Sequence, residues 1–179
     1  TLEQYMDCYA KDKGNFTYTC DWSGFNVPGH VIEAFAQTFA KDLLQKEKEL
    51  LRIILQHVEE NEWSKYYVIG SSKDGGKHKD ARDVMRHEIA HGLYYLNDEY
   101  KKEMKGLAQA AQEEHPKFAK TLRDLGYCDE VIDDEIQAYL STSTMIYLAD
   151  DLFEDQEINW ETVLEAQRTF EHFYEELVE

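Results

Sequence analysis

The spacing of apolar residues along the chain predicts a mainly helical protein. Between residues 30 and 61, apolar residues recur every three or four positions with no Pro or Gly among them, which predicts one long helix, straight or bent. The same spacing predicts further helices over residues 80–96, 98–114, 116–125, 130–148 and 160–177. Helices therefore account for most of the expected secondary structure.

Two segments have a strand-like pattern instead. Residues 16–22 alternate apolar and polar positions with a period near two, and residues 65–70, which read KYYVIG, are rich in β-forming residues. The polar, glycine-containing residues 71–79 then predict a loop. A small β element among helices is typical of the α+β class, and a length of 179 residues predicts a single domain over residues 1–179.

The chain is strongly acidic, with 37 Asp and Glu residues against 19 Lys and Arg residues and a net charge of −18. A negative surface repels phosphate groups and anionic lipids, so neither nucleic acid nor a membrane surface is an expected partner. No apolar run is long enough for a membrane span. Three cysteines cannot all pair within one chain, which favours a reducing, cytoplasmic location, and a disulfide between Cys8 and Cys20 stays open.

Residues 87–91 read HEIAH and lie in the helix predicted over residues 80–96. His87 and His91 are four residues apart, so on a helix they project from one face, where both imidazoles can bind one metal ion. Glu88 stands where the HExxH motif has the carboxylate that accepts a proton from water. The motif predicts a zinc site with Glu88 as general base. The alternative is a surface helix with solvated side chains.

A catalytic zinc site usually has a third protein ligand. Asn97 occupies the position at which the metzincin pattern has its last His. Glu135 lies on the apolar stripe of the helix predicted over residues 130–148, and a buried carboxylate is costly unless it is paired or binds a metal. Glu135 is therefore the predicted third ligand. Asp98 is the alternative if the first helix continues unbroken, and a buried ion pair with Arg82, Arg123 or a Lys is the other interpretation of Glu135.

The HEIAH motif and the segment DDEIQAYLS at residues 133–141 resemble the zincin metallopeptidases, and more closely the gluzincin type, in which a Glu on a later helix completes the site. The second segment is also similar to that of the small ImmA/IrrE metallopeptidases, since Glu135 is followed by Ala138 and Tyr139. The resemblance implies a zincin-like fold, in which a strand beside the active helix pairs with bound peptide. Residues 65–70 lie where such a strand is expected.

These features together predict zinc-dependent hydrolysis of a peptide or protein substrate. His87, His91 and Glu135 are expected to bind Zn²⁺, Glu88 to act as general base, and Tyr139 to stabilise the developing negative charge. Spacing does not rank the remaining candidates for that last role, which are Tyr94, Tyr95, Tyr147, His115 and His172. A site of two His and one carboxylate also suits other divalent metals, and zinc is the one expected first.

Two rival interpretations belong to other classes of protein. A di-iron carboxylate bundle needs two Glu-x-x-His elements, and the chain has Glu88 with His91 but no second one. A non-catalytic acidic helical protein, such as an inhibitor that binds a basic partner, would carry the same metal site in a structural or vestigial role.

Charged residues around the motif add two smaller hypotheses. Asp83 and Asp98 lie near the face of the ligand imidazoles and are candidates for orienting them. The loop at residues 71–79 carries Lys73, Lys77, His78 and Lys79 in an otherwise acidic chain, which predicts that it attracts an acidic substrate segment.

Overall fold

A computed structural model describes residues 2–15, 24–71, 81–149 and 159–178 and places most of them in helices. The elements follow in the order α1 (Leu2–Lys13), β1 (Gly24–Pro28), α2 (Gly29–Thr38), α3 (Gln45–Glu60), β2 (Tyr67–Ser71), α4 (Ala81–Leu96), α5 (Asp98–Glu114), α6 (Pro116–Asp124), α7 (Ile132–Thr142) and α8 (Trp160–Val178). A 3₁₀ turn at Asp129–Val131 leads into α7, and a helical turn at Met145–Tyr147 follows it. The architecture is mainly helical with a small sheet, which is consistent with the predicted α+β class.

β1 and β2 form a two-stranded antiparallel sheet that lies against α4. The register pairs Gly24 with Ser71, Asn26 with Ile69, and Pro28 with the first residue of β2. Alternate residues of a strand point to the same face of a sheet. Gly24 and Asn26 therefore share a face, and it is the face that meets the helix carrying the HEIAH motif.

The main hydrophobic core lies among α4, α5, α6, α7 and α8. α7 is its central helix, because it packs against α4, α5, α6 and α8. The core residues that are fully or almost fully buried include Met104, Ala108, Phe118, Leu122, Ile136, Ala138, Leu140 and Phe170. Burial on several sides fixes α7 in position, and with it the acidic residues of its first turn.

The single long helix predicted over residues 30–61 is wrong, because the chain forms α2 and α3 there. α3 begins after Leu44, whose backbone N–H donates to the Glu47 side chain at 2.6 Å. One straight helix would separate Ile32 from Leu51 by roughly 28 Å at 1.5 Å per residue. The break instead allows these two side chains to share a second, smaller hydrophobic cluster.

The helix predicted over residues 130–148 also ends early, at Thr142. Hydroxyl side chains compete for backbone groups at this point. Thr142 donates to the Ala138 carbonyl at 2.7 Å, and Thr144 accepts from the Tyr147 N–H at 3.2 Å. The run of Ser and Thr residues therefore ends the helix that apolar spacing alone would extend.

The remaining predictions agree with the structure or fall outside it. α4, α5, α6 and α8 begin and end within one residue of their predicted limits, and β2 lies one or two residues later than the predicted strand. The predicted strands at 16–22, and all of the predicted loop except Ser71, lie outside the described residues. α1 and β1 were not predicted, and β1 contains turn-forming Gly24 and Pro28.

Among the described helices, none has both the length and the apolar content that crossing a membrane requires.

A buried polar pair connects α5 to α7. The Tyr100 hydroxyl donates to Oε1 of Gln137 at 2.8 Å, and both residues are fully buried. Burial raises the pKa of the Tyr100 hydroxyl, so it remains a donor at neutral pH. The pair therefore positions α7 by a directional contact in addition to its apolar packing.

We expect Tyr100→Phe to lower the free energy of unfolding by about 1–3 kcal/mol, because it leaves a buried acceptor on Gln137 unpaired. Denaturant unfolding followed by circular dichroism measures the change. Tyr174→Phe is the matched control, since its ring contacts with Phe170 and Arg86 do not need the hydroxyl. Equal losses in the two variants would contradict the expectation.

Candidate metal centre

Three side chains from two helices converge on one small cavity. His87 and His91 come from α4, and Glu135 comes from the first turn of α7. The two Nε2 atoms lie 3.3 Å apart, and Glu135 places Oε1 3.6 Å from His91 Nε2 and Oε2 3.8 Å from His87 Nε2. Ligand atoms about 2.0–2.2 Å from a tetrahedral ion are about 3.3–3.6 Å apart. The three residues could therefore hold one metal ion, as predicted.

The surroundings of the Glu135 carboxylate suit a cation ligand. Glu135 is 9% exposed, and among the described residues its Oε2 is the buried side-chain atom that lacks a hydrogen-bond partner. A buried carboxylate oxygen without a partner is costly, and a metal ion is one of the few groups that compensates it. Two imidazole nitrogens and a carboxylate oxygen are also a donor set that zinc accepts. The residues present thus fit a divalent metal.

The alternatives to this set of ligands do not fit the geometry. α4 ends at Leu96, and the Asn97 side chain caps α5 by accepting from two backbone N–H groups at 3.0 Å. The condition for Asp98 as a ligand, an unbroken helix, is therefore not met. Within the described residues, the ion pairs of Glu135 are with the two imidazoles, and Arg123 pairs with Asp129 at 2.6 Å.

Both imidazoles are oriented by contacts on the side away from the cavity. His91 Nδ1 lies 2.8 Å from Asp134 Oδ1, and His87 Nδ1 lies 3.5 Å from Thr142 Oγ1. Thr142 gives its own proton to the Ala138 carbonyl, so its oxygen is left as an acceptor. We assign the ring protons to both Nδ1 atoms on this basis. In the neutral form of each ring, which is the form that binds a metal, Nε2 then directs a lone pair toward the other two residues of the group.

Asp134 is a site residue that sequence reasoning missed, since Asp83 and Asp98 were the expected partners of the imidazoles. Both of those are exposed, whereas Asp134 contacts His91 directly and is held by Gln137 Nε2 at 3.0 Å. The signal in the sequence was the i, i+3 spacing of Asp134 and Gln137 beside the predicted ligand. α7 thus supplies both a ligand and the carboxylate that orients another.

The two imidazoles have different electrostatic surroundings. Burial lowers the pKa of His87, and the nearby Glu135 opposes this only in part. Burial also acts to lower the pKa of His91, but the hydrogen bond and charge of Asp134, with Glu135 and Glu88, raise it to about 9. Asp134 is thus the acidic residue that raises the pKa of His91 most.

Glu88, the predicted general base, faces the same cavity. The cavity has a volume of about 220 Å³, and its lining residues are Gly24, Phe25, Asn26, His87, Glu88, His91, Tyr127 and Glu135. Glu88 is 7% exposed, and its Oε2 accepts from Asn26 Nδ2 at 2.7 Å. The strand that lines the cavity is therefore β1, whereas the sequence had favoured residues 65–70 for that position.

Tyr139, the predicted charge-stabilising residue, lies behind the cavity. Its ring packs on His87 with the centroids 4.8 Å apart, and its hydroxyl is 3.4 Å from that of Tyr127. Tyr127 is the tyrosine that lines the cavity. Burial raises the pKa of both hydroxyls, that of Tyr139 to about 12, so both stay protonated. The other candidates are absent from the described lining: Tyr94, Tyr95, Tyr147, His115 and His172.

We expect the parent protein to bind close to one zinc ion per chain and Glu135→Ala to lose it, because that substitution removes the anionic ligand. Glu88→Gln should retain the metal. Elemental analysis after chelator-free purification and dialysis against zinc measures this. Glu130→Ala, which removes an exposed acid beside α7, is the control. Equal metal content in Glu135→Ala and the parent would remove Glu135 from the site.

We also expect Asp134→Asn to weaken zinc binding by about 10- to 100-fold, since residues that orient a ligand imidazole have effects of that size. Competition with a chromophoric chelator measures the affinity. Asp98→Asn provides the comparison, because Asp98 is exposed at the start of α5. An affinity for Asp134→Asn equal to that of the parent would show that the contact with His91 does not support binding.

Comparison with known proteins adds no relative. No family model, no curated protein and no solved structure matches the chain. The resemblance of HEIAH and the Glu135 segment to the zincins is therefore supported only by the group of three residues that could bind a metal.

Proposed function

We propose that the chain is a zinc-dependent peptidase. The observation that carries the proposal is the buried group of His87, His91 and Glu135, with an unpartnered Glu135 oxygen and with Glu88 in the same cavity. A zinc ion held by this group would act as a Lewis acid: it would polarise a carbonyl and lower the pKa of the attacking water toward about 7. Hydrolysis of an amide bond is the reaction that this combination of groups serves best.

Glu88 is the proton carrier in this proposal. Its Oε2 is held by Asn26, and the structure gives Oε1 no hydrogen bond among the described residues. Oε1 is therefore available to accept a proton from the water that attacks the carbonyl carbon. When the C–N bond breaks, the same carboxylate delivers that proton to the leaving nitrogen. One water molecule is added across the bond, and Glu88 returns to its starting state.

Tyr127 is the better placed of two tyrosines to assist the carbonyl oxygen. It lines the cavity, and its hydroxyl is a protonated donor because burial raises its pKa. A hydrogen bond to an oxygen that gains negative charge lowers the reaction barrier. Tyr139, the residue expected from the sequence, would act through its contact with the Tyr127 hydroxyl.

The test is cleavage of a pooled library of internally quenched peptides by zinc-loaded protein. We expect Glu88→Gln to lower kcat by about 10²- to 10⁴-fold with zinc content unchanged, because a general base contributes that much to the rate. Glu103→Gln, at an exposed position of α5, should match the parent. A chelator should abolish cleavage, and zinc should restore it.

Two results would count against the peptidase. Cleavage that survives in Glu88→Gln would assign the activity to another site or to a contaminant. A parent that binds zinc stoichiometrically and cleaves no peptide in the library would favour the non-catalytic alternative, in which the metal has a structural role.

A further inference from the structure

Two residues of β1 contact the carboxylate of Glu88. Asn26 donates from Nδ2 to Glu88 Oε2 at 2.7 Å. A Cβ atom at Gly24 would lie 2.4 Å from Glu88 Oε1 and 2.7 Å from Val84 Cγ1, distances that real Cβ atoms do not adopt. The strand therefore leaves space for one oxygen of the carboxylate and binds the other.

The amide of Asn26 is itself held by β2. Asn26 pairs with Ile69 in the sheet, so Tyr67 is its diagonal neighbour, and the Tyr67 hydroxyl lies 2.6 Å from Asn26 Oδ1. A carboxylate accepts hydrogen bonds, so the amide NH₂ must face Glu88 and the amide oxygen must face the phenol. Burial and nearby carboxylates raise the pKa of Tyr67, which keeps it a donor.

The position of Glu88 beside a metal site creates a conflict. Glu88 follows His87 directly in the sequence, and its carboxylate oxygens are of the kind that bind metal ions. They are nevertheless outside the group of ligand atoms that lie within 4.8 Å of one another. A carboxylate that joins a metal as a ligand can no longer accept a proton from water. Glu88 therefore has to stay near the metal without binding it.

We propose that Asn26, held by Tyr67, is a positioning residue that keeps Glu88 out of the set of metal ligands. The part of this inference that concerns catalysis rests on the proposed peptidase function, and the part that concerns metal coordination does not. Tyr67 acts on Asn26, Asn26 acts on Glu88, and only Glu88 meets the reacting atoms. The three side chains form one chain of contacts from the sheet to the cavity.

Cobalt provides a readout that is independent of activity, because the visible spectrum of Co²⁺ reports its ligands. The spectrum and the Co²⁺ affinity are measured for the parent, Asn26→Ala, Glu88→Gln and the double variant, which form a double-mutant cycle. We expect Asn26→Ala to shift the bands and to bind Co²⁺ about tenfold more tightly, because the released Glu88 adds an anionic oxygen ligand and ligand charge raises metal affinity. The double variant should return to the spectrum of Glu88→Gln.

Asn61→Ala is the matched control, since it removes an exposed amide that donates to the His57 carbonyl at 2.8 Å. Its spectrum should equal that of the parent. The proposal is overturned if Asn26→Ala has the parent spectrum and affinity, or if its shift persists after Glu88 is replaced.

The kinetic test uses one peptide of the library that the parent protein cleaves. We expect Asn26→Ala to lower kcat by about 10- to 100-fold with KM within about twofold, since misplacing a reacting group by about 1 Å has effects of this size. Tyr67→Phe should lower kcat less, and it should add nothing in the Asn26→Ala background. Additive effects, or a change in KM alone, would overturn the proposed chain of contacts.

Failure of the peptidase proposal would look different from failure of this one. A parent that binds Co²⁺ and cleaves no peptide removes the peptidase, while the cobalt cycle still decides how Glu88 is held. A parent that binds no Co²⁺ overturns both.

Discussion

A carboxylate oxygen that is buried without a hydrogen-bond partner must be compensated by positive charge, and Glu135 Oε2 is such an atom. The Nε2 atoms of His87 and His91 face the same carboxylate, and Asp134 and Thr142 contact the other nitrogen of His91 and of His87, respectively. The packing of α7 against four other helices keeps this arrangement in place. Because the hydrophobic core holds α7 in place, the Glu135 carboxylate stays buried.

The fold divides the site between two sources. The helices α4 and α7 supply the candidate metal ligands and the groups that orient them, whereas the sheet contacts Glu88. The two sources meet at α4, where His87 and Glu88 are adjacent in sequence and belong to different networks. Substitutions in β1 therefore act on Glu88 first, whereas substitutions in α7 act on Glu135 and on the groups that orient the two imidazoles.

The sequence predicted the parts of the site that depend on local spacing. His87 and His91 follow from an i, i+4 relation, and Glu135 follows from its place on an apolar helical face. Asn26 and Tyr127 do not share such a relation with the motif, since tertiary packing brings them to the cavity from distant segments. The two helix limits that were wrong have different causes. Burial in the second hydrophobic cluster favours the break between α2 and α3, and competing Ser and Thr hydroxyls end α7.

The origin of the ligands on two helices has a thermodynamic consequence. An unfolded chain keeps the two histidines four residues apart but does not hold Glu135 beside them, so it binds a metal ion more weakly than the folded chain does. Any ion that prefers the folded chain raises its stability in proportion to the logarithm of the ion concentration. For a metal ion bound by this group, the contact between α4 and α7 and the occupancy of the site would be linked equilibria, so the metal concentration would set the stability of the helical core.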